Sequence, residues 1–488
     1  MRKIVLLMIL TSLSIFLLTG CKPDDSNKPL DLSWVLLIVG SDDTYGLINQ
    51  ENDVIVPLEY DTLVRLGTHY LGEKDSTLYL FDKEGKQLFT LDNATVPDDI
   101  DDVSRRYLLD NIDLSTSSLI PFIRNDRYGF ADMNGDVIIQ PIYVLAESFM
   151  EEYGIIYAVK EDYTRGYIGI DNTEVIPFDN IKLGKPVEGM IQVGKQLSNI
   201  RIDYTYGFYN TDGELVIDIQ YEEVRDFKGG YSVVEIDNDL GVIDTNGNLV
   251  LQAEYYSILI FPEIKRISTR TTNAESIVYD FSFNRIDEFP DNYPMYFFTT
   301  LGYSSFSYDG NVGLIDKDGN IVFETAGIII NRASTDGHYY VVIDDSNEER
   351  TYHLYNIDGD KIITQDQYIR NYSDGYLVSE SDSNTYSLTS TNGDIVIADQ
   401  DMIYSINGGG FGETLYTVIN QGEHRIITQT GTPINNHTYS NSSLIWQLGL
   451  FSVAQNDKWG YIDSNGNEII PLEYDYVEDG NNVVPMTE

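Results

Sequence analysis

The sequence predicts an all-β protein built from about twelve tandem repeats, each a β-hairpin or a blade of a few short strands. Three observations predict this class. A motif recurs through the chain every 33 to 50 residues, turn signals separate short apolar runs, and no long helical period appears after the first 20 residues. Of the 488 residues, 42% are hydrophobic and 12% are aromatic, so the chain can bury a substantial core.

The repeated motif is clearest near the two ends of the chain. Residues 458–475 read KWGYIDSNGNEIIPLEYD, and residues 45–61 read YGLINQENDVIVPLEYD. Both have a glycine, an apolar pair, a turn, an apolar triplet and then Pro-Leu-Glu-Tyr-Asp. Counted at the first glycine, the copies lie at Gly46, Gly129, Gly166, Gly207, Gly241, Gly313 and Gly460, with weaker copies at Tyr79, Ile277, His353, Ser387 and Arg425.

Most copies also contain a turn signature. A residue whose side chain can bond the backbone begins the turn, at Asp82, Asp132, Asn210, Asp244, Asp316, Asn356, Ser390 and Asp463. A glycine follows three residues later, at Gly85, Gly135, Gly213, Gly247, Gly319, Gly359, Gly393 and Gly466. This spacing predicts a type I turn closed by a left-handed residue. Residues 316–320 superficially resemble a calcium loop, but they lack its distal glutamate, so turn chemistry is the favoured interpretation.

Further strands are expected on either side of this hairpin. One precedes the first glycine, as at residues 34–39, 231–236, 376–379 and 450–454, and a short segment after the proline, such as 474–477, forms a fourth. Pro57, Pro141, Pro177 and Pro471 are expected to end their strand or to confine it to a sheet edge. Residues 96–110 are extra sequence, interpreted as a short helix or a loop, and residues 481–486 repeat the start of a further unit.

The motif resembles the WG (KWG) repeat over nearly the whole body, residues 32–488. The resemblance is carried by Lys458-Trp459-Gly460 and the Pro-Leu-Glu-Tyr-Asp segment that follows it. This sequence departs from the family where the tryptophan is replaced, by Tyr45, Tyr128, Tyr206, Arg165, Leu240 and Val312. Family membership implies a bacterial repeat protein with no assigned biochemical role.

Two architectures fit such repeats. In a propeller, each unit is a blade and closure hides the sheet edges; in an open array, the units stack linearly and need caps. Twelve units could make two six-bladed rings or one continuous superhelix, and we favour the propeller-like arrangement. A seam between two halves would lie near residues 270–300, where the turn glycine is missing.

The N-terminus has the features of a lipoprotein signal. Residues 1–20 combine a short basic start with an apolar run, and Leu18-Thr19-Gly20-Cys21 resembles a bacterial lipobox. Cys21 is the single cysteine of the chain, so the body has no internal disulfide or catalytic thiol. The resemblance implies acylation of Cys21, anchoring in a lipid bilayer outside the cytosol, and a short tether at residues 21–31.

Charge and motif content exclude some functions. The formal net charge is −47, which repels a nucleic-acid backbone. The five histidines, His69, His338, His353, His424 and His437, show no metal-ligand spacing, and Gly408–Gly410 lacks the context of a phosphate loop. We therefore expect no catalytic residue, no metal and no cofactor.

The sequence favours a binding or scaffolding role for a protein or envelope-glycan partner. The alternatives are a structural lipoprotein without a ligand and a polysaccharide hydrolase. The ligand-binding residues are not predictable from the sequence. The 37 tyrosines could present a glycan-binding face, but packing between neighbouring repeats is the favoured interpretation.

Overall fold

The computed structural model describes residues 36–477 except 67, 98–117, 148, 181, 199–200, 287–295, 333, 335–336, 346–349, 374, 382, 407–413 and 446–449. Within this part the regular structure is entirely β, in 43 strands, and every strand pairing is antiparallel. The predicted all-β class is confirmed. The signal peptide, the tether, the insertion beyond Pro97 and the segment 481–486 lie outside the described residues.

The strands form eleven small sheets that follow one another along the chain. The first six sheets are built from β1 (Leu37–Ser41), β2 (Thr44–Ile48) and β3 (Val54–Tyr60); β4 (Thr62–Leu66), β5 (His69–Lys74), β6 (Thr77–Phe81) and β7 (Gln87–Asp92); β8 (Leu119–Arg124), β9 (Arg127–Asp132) and β10 (Val137–Tyr143); β11 (Leu145–Ala146), β12 (Ile155–Val159), β13 (Arg165–Gly169) and β14 (Glu174–Asn180); β15 (Lys182–Val187), β16 (Met190–Ser198), β17 (Arg201–Asn210) and β18 (Leu215–Tyr221); and β19 (Glu223–Val224), β20 (Tyr231–Ile236), β21 (Asp239–Asp244), β22 (Leu249–Phe261), β23 (Arg266–Thr271) and β24 (Ser276–Asp280).

The remaining five sheets complete the series. They are built from β25 (Tyr303–Tyr308), β26 (Asn311–Asp316) and β27 (Ile321–Ala326); β28 (Ile329–Arg332), β29 (Tyr339–Asp344), β30 (Thr351–Asn356) and β31 (Lys361–Gln365); β32 (Tyr368–Ser373), β33 (Tyr376–Glu380), β34 (Tyr386–Ser390) and β35 (Ile395–Gln400); β36 (Met402–Ile406), β37 (Leu415–Asn420) and β38 (Glu423–Thr428); and β39 (Asn441–Ile445), β40 (Leu450–Gln455), β41 (Lys458–Asp463) and β42 (Glu468–Tyr474). The last strand, β43 (Tyr476–Val477), joins the first sheet.

The predicted turns join the third and fourth strands of the repeats. In the last repeat, the Gly466 N–H donates to the Asp463 carbonyl and the Asp463 N–H donates to the Asn467 carbonyl. Gly466 has φ +78°, which a residue without a Cβ adopts freely. The same positive φ is found at all eight predicted turn glycines, which confirms the turn assignment.

A β-bulge in the fourth strand explains the first glycine of the repeat. The register between β41 and β42 shifts between Trp459 and Tyr461, where Pro471 cannot donate a ladder hydrogen bond. A Cβ on Gly460 would lie 2.4 Å from the Ile470 carbonyl oxygen. The strand continues through the proline to Tyr474, so the expectation that proline ends it is wrong and the edge-strand alternative is correct.

The second and third strands of each repeat form the interior. Their central residues are buried consecutively, as in β20, β21 and β41, because each sheet is covered on both faces by its neighbours. A hydrophobic cluster joins each sheet to the next, for example Leu71 and Phe89 with Phe122, and Val378 and Leu388 with Tyr416. The core is therefore a chain of inter-sheet layers.

The sheets close on themselves as one β-propeller. β43 pairs with β1 through Val39 and Gly40, and a cluster containing Val39, Ile48, Tyr461 and Val477 joins the last sheet to the first. The predicted fourth strand at 474–477 is thus present and completes the opening sheet. The propeller-like arrangement is confirmed, and the open array is not what the structure shows.

Twelve repeats produce eleven sheets because two of them share a strand. β22 runs for 13 residues, pairs with β21 through Leu240–Ile243 and continues to pair with β23 through Ser257–Phe261. The resulting six-stranded sheet contains the copies at Gly241 and Ile277. In the weak copy, Phe283 takes the place of the turn glycine with φ +62°.

Candidate interaction surface

The turn aspartates are occupied by their own backbone. In residues 316–320, Asp316 Oδ1 accepts from the Asp318 and Asn320 N–H groups at 2.9 Å each, and Asp316 Oδ2 accepts from Asn320 Nδ2 at 2.9 Å. Among the described residues, no group of three or more His, Cys, Asp or Glu side chains is placed to hold a metal ion. These carboxylates therefore stabilise hairpins.

Hydrogen bonding also changes the acidity of these turns. Burial raises the pKa of the Asp463 carboxyl, but the hydrogen bonds donated by Asn467 and Asn465 outweigh that effect and hold the pKa below its ordinary value. The pKa of Asp132 and that of Asp244 are lowered in the same way. The turns consequently favour the charged carboxylate, so these aspartates stay ionised to lower pH than free aspartate does.

The Tyr-Asp pair at the end of the motif, at residues 60–61 and 474–475, forms contacts beyond its own strand. Tyr474 OH donates to Asn52 Oδ1 at 2.9 Å, and Asp475 Oδ2 accepts from Ser41 Oγ and from the Asp42 N–H at 3.2 and 3.1 Å. Asp61 accepts from the Asp75 N–H in the same manner. In the last repeat, these two side chains thus join the end of the ring to its first sheet.

Tyrosines serve mainly as packing residues. Tyr70, Tyr167, Tyr255 and Tyr461 are among the largest fully buried side chains, and Tyr60 packs edge-on against Phe81. The strongly exposed tyrosines are Tyr163, Tyr256, Tyr308 and Tyr404, which belong to four different repeats. This confirms the packing interpretation, and the described tyrosines form no aromatic face for a glycan.

The histidines are dispersed through the described sheets. Burial lowers the pKa of His69 and the pKa of His424. His353 is the most connected: its Nδ1 lies 2.7 Å from Thr364 Oγ1, and its Nε2 lies 3.7 Å from Asp344 Oδ2. Asp344, His353 and Thr364 belong to the adjacent strands β29, β30 and β31. Their contacts stabilise the sheet at the position of His353, where other repeats have glycine.

Exposed apolar side chains concentrate on one part of the ring. Of the twenty large hydrophobic residues that are clearly exposed, seven belong to residues 297–362, which we call the 297–362 surface. Its members are Phe297, Leu301, Tyr308, Ile321, Ile328, Ile329 and Ile362. Exposed apolar side chains concentrated in one segment fit an interaction site.

The 297–362 surface includes a fourth strand that pairs regularly over most of its length. β27 pairs with β26 without interruption from Leu314↔Phe323 to Asn311↔Ala326. Glu324 occupies the position in β27 that Pro57 occupies in β3. The two strands align because Phe323 and Val56, the preceding residues, each pair with the residue that follows the first glycine of their repeat. This surface was not predicted from the sequence, since the absence of proline from β27 is shared with β7, β18, β31 and β35.

The predicted anchor cannot be placed in this structure. Cys21, the lipidation candidate, and residues 1–20 lie outside the described residues. The described part of the chain contains no helix with the length and apolar character needed to cross a membrane.

Comparison with known proteins identifies the repeat. The family model described as "WG containing repeat" matches residues 45–65, 128–163, 206–238, 241–263 and 459–482. No curated protein matches this chain in sequence.

Two solved structures are similar to this chain at low scores. A eukaryotic initiation factor aligns with 11% identity over 68% of this chain and 95% of its own, with a TM-score of 0.31. BamB from Moraxella catarrhalis aligns with 12% identity over 58% of this chain and 91% of its own, with a TM-score of 0.26. These scores add nothing to the description of the fold or of the function.

Proposed function

Since this chain is a WG-repeat protein with a β-propeller fold, we propose that it is a binding or scaffolding module that holds a protein partner outside the cytosol. The observation that carries the proposal is the 297–362 surface. Seven of the twenty exposed large hydrophobic residues lie in this segment, and exposed apolar side chains beside polar residues fit association with another protein.

Acylation of Cys21 supplies the location in this proposal. A lipid-anchored propeller presents its partner-binding surface close to a membrane, and two or more acyl chains give stable anchoring. The bilayer is then the first partner, and the protein or envelope glycan held by the ring is the second. The high negative charge limits nonspecific contact with other acidic envelope components.

The proposal assigns no catalytic step to the protein. The His353 and Thr364 side chains are hydrogen-bonded within one sheet, and Asp344 Oδ2 lies 3.7 Å from His353 Nε2, which fits a contact that stabilises the sheet. A protein partner fits better than a glycan, because the described exposed tyrosines do not form a stacking platform.

The anchor is tested by fractionation. We expect wild-type protein to sediment with membranes and the Cys21→Ser variant to stay in the soluble fraction or retain its uncleaved signal. Mass spectrometry of the mature N-terminus checks the acylation directly. An unmodified intact leader on wild-type protein would contradict the anchored location.

The binding role is tested by capture from envelope extract with residues 32–488 as bait. We expect enrichment of a distinct envelope component, reduced by Ile321→Lys in the 297–362 surface. The matched control is Val54→Lys, at the equivalent position of the first repeat and also exposed. Equal capture by both variants would exclude the 297–362 surface, and no enrichment with wild-type bait would contradict the binding role.

A further inference from the structure

We propose that the outer edge of β27 binds an extended, basic peptide segment as an added antiparallel or parallel strand. The inference rests on the proposed binding function and names its partner class. A strand at a sheet edge presents unpaired N–H and C=O groups, and peptides can be recognised by completing such a sheet. β27 ends its sheet on this side in the described part of the chain.

Most fourth strands are protected against such an addition. β3, β10, β14 and β42 contain Pro57, Pro141, Pro177 and Pro471, and their registers are bulged. β18 and β35 are bulged without a proline. Bulges and prolines are the usual devices that keep edges from pairing.

The other fourth strands that pair regularly, β7 and β31, have charged side chains at their edges that disfavour the addition of a strand. In β7, Arg124 of the next repeat donates to the Asp92 carbonyl at 3.0 Å and to the Asn93 carbonyl at 3.3 Å. β31 begins with the exposed Lys361. A lysine on an edge disfavours pairing with a basic strand.

β27 has neither a proline nor a cationic side chain at its edge. Its sequence, Ile-Val-Phe-Glu-Thr-Ala, has high β propensity. Its register with β26 shifts once, between Ile321 and Phe323, and is regular from Phe323 to Ala326. Ile321, Glu324 and Ala326 are exposed. The edge is therefore accessible, and it is regular over its second half.

The negative charge beside β27 indicates which kind of peptide would bind there. Glu324 Oε1 accepts from Asn311 Nδ2 at 2.8 Å, and no described cationic side chain forms an ion pair with it. The turn at residues 356–360 packs against β27, since a Cβ on Gly359 would lie 3.0 Å from the Val322 carbonyl oxygen. That turn adds the exposed Asp358 and Asp360, which also lack a described ion pair. Three carboxylates beside a free edge favour lysine or arginine on the added strand.

A second copy of this chain is a poorer occupant than a basic peptide. Edge-to-edge pairing would bring Glu324 and the neighbouring aspartates of two copies together. Each chain also carries a formal charge of −47, so long-range repulsion opposes the encounter. A peptide with alternating basic and apolar residues satisfies both the carboxylates and the apolar side chains at Ile321 and Phe323.

The test uses a fluorescent eight-residue peptide that alternates lysine and valine. We expect it to bind the soluble body, and N-methylation of its ladder amides or the Glu324→Lys substitution to weaken binding by about tenfold or more. Asp218→Lys is the matched control: Asp218 is exposed and occupies the same repeat position in the bulged β18. It makes the same charge change and should leave binding unchanged.

Hydrogen exchange locates the contact. Bound peptide should slow exchange in residues 322–326. Equal binding of the N-methylated peptide, equal weakening by the two lysine variants, or protection confined to other strands would overturn the proposal. Self-association of wild-type protein that Glu324→Lys abolishes, without peptide binding, would assign the edge to a second copy and also overturn it.

The same peptide separates this inference from the proposed function. If the soluble body captures an envelope component that excess peptide does not displace, the binding function stands and the β27 assignment fails. If the peptide binds β27 as predicted but no envelope component is captured, the edge assignment stands and the scaffolding role fails.

Discussion

At the scale of single residues, the repeat is defined by positions where an added atom has no room. The first glycine of the motif lies under a carbonyl of the bulged fourth strand, at 2.4 Å from the hypothetical Cβ in the last repeat and 2.6 Å in the first. Repeats that have lost this glycine, at Tyr79 and His353, pair regularly there. Glycine and bulge therefore occur together in most repeats, whereas Gly313 pairs regularly with Glu324 and Ser387 lies opposite the bulge of β35.

Gly460→Ala should lower the free energy of unfolding by about 2–3 kcal/mol, because the new methyl group meets the Ile470 and Pro471 carbonyls. Urea unfolding of both proteins measures the difference. Gly184→Ala is the comparison, since its Cβ would meet the Gln192 side chain at 3.2 Å and its cost should be smaller. Equal losses would contradict the steric account.

Acid should weaken the turns at the residue scale. Because the folded pKa of Asp463 is lowered from 3.8, its stabilisation is complete above that value and is lost as the pH falls through the folded pKa. Asp463→Asn keeps the accepting oxygen, as Asn210 does naturally, and removes the titration. Urea unfolding at about pH 6 and about pH 3 should show a smaller acid loss in this variant. An identical pH profile would disprove the assignment.

At the scale of elements, the fourth strand combines two tasks. Its inward residues, such as Val56 and Tyr60, are buried between repeats, whereas its other side is a sheet edge. Prolines and bulges keep that edge from pairing with other chains in most repeats. In β27, Phe323 still packs between repeats, but the edge of the strand contains no proline.

Removing the protecting prolines should promote self-association. In a variant with Pro57→Val, Pro141→Val and Pro471→Val, three edges gain a donor N–H and a β-branched side chain, so we expect faster growth of light scattering on incubation. Pro186→Val, in the first strand of its repeat, is the comparison. Unchanged scattering together with an unchanged melting temperature would show that the bulges alone suffice.

At the scale of the molecule, closure depends on two residues at the end of the described chain. Tyr476 and Val477 form β43, and Val477 is buried in the cluster that joins the last sheet to the first. Asp475 adds bonds to Ser41 and Asp42. The ring is therefore fastened by a short strand of low intrinsic stability.

Ending the chain after Tyr474 should cost about 3 kcal/mol or more, from the lost burial of Val477 and the lost hydrogen bonds. A chain ending after Val477 keeps the pair and is the comparison. Thermal unfolding followed by circular dichroism checks both. If the shorter chain melted at the same temperature as the longer one, β43 would not be the fastening element.

Local patterns predicted much of this fold. The turn glycines and the strands at 231–236 and 450–454 were readable because each depends on a few neighbouring residues. The sharing of β22 by two repeats could not be predicted, because nothing in the sequence distinguishes a continuous strand from two short ones. The 297–362 surface was also missed, because exposure depends on which residues the neighbouring sheets cover.

Closure by β43 also restricts how the gene can change. An open solenoid can gain or lose a copy at either end, because only one interface is affected. Here both flanks of every sheet are occupied, so deleting a copy leaves a gap that the other sheets must fill by altering their mutual twist. Drift in sequence within a copy, as at Ile277, is consequently easier to tolerate than a change in copy number.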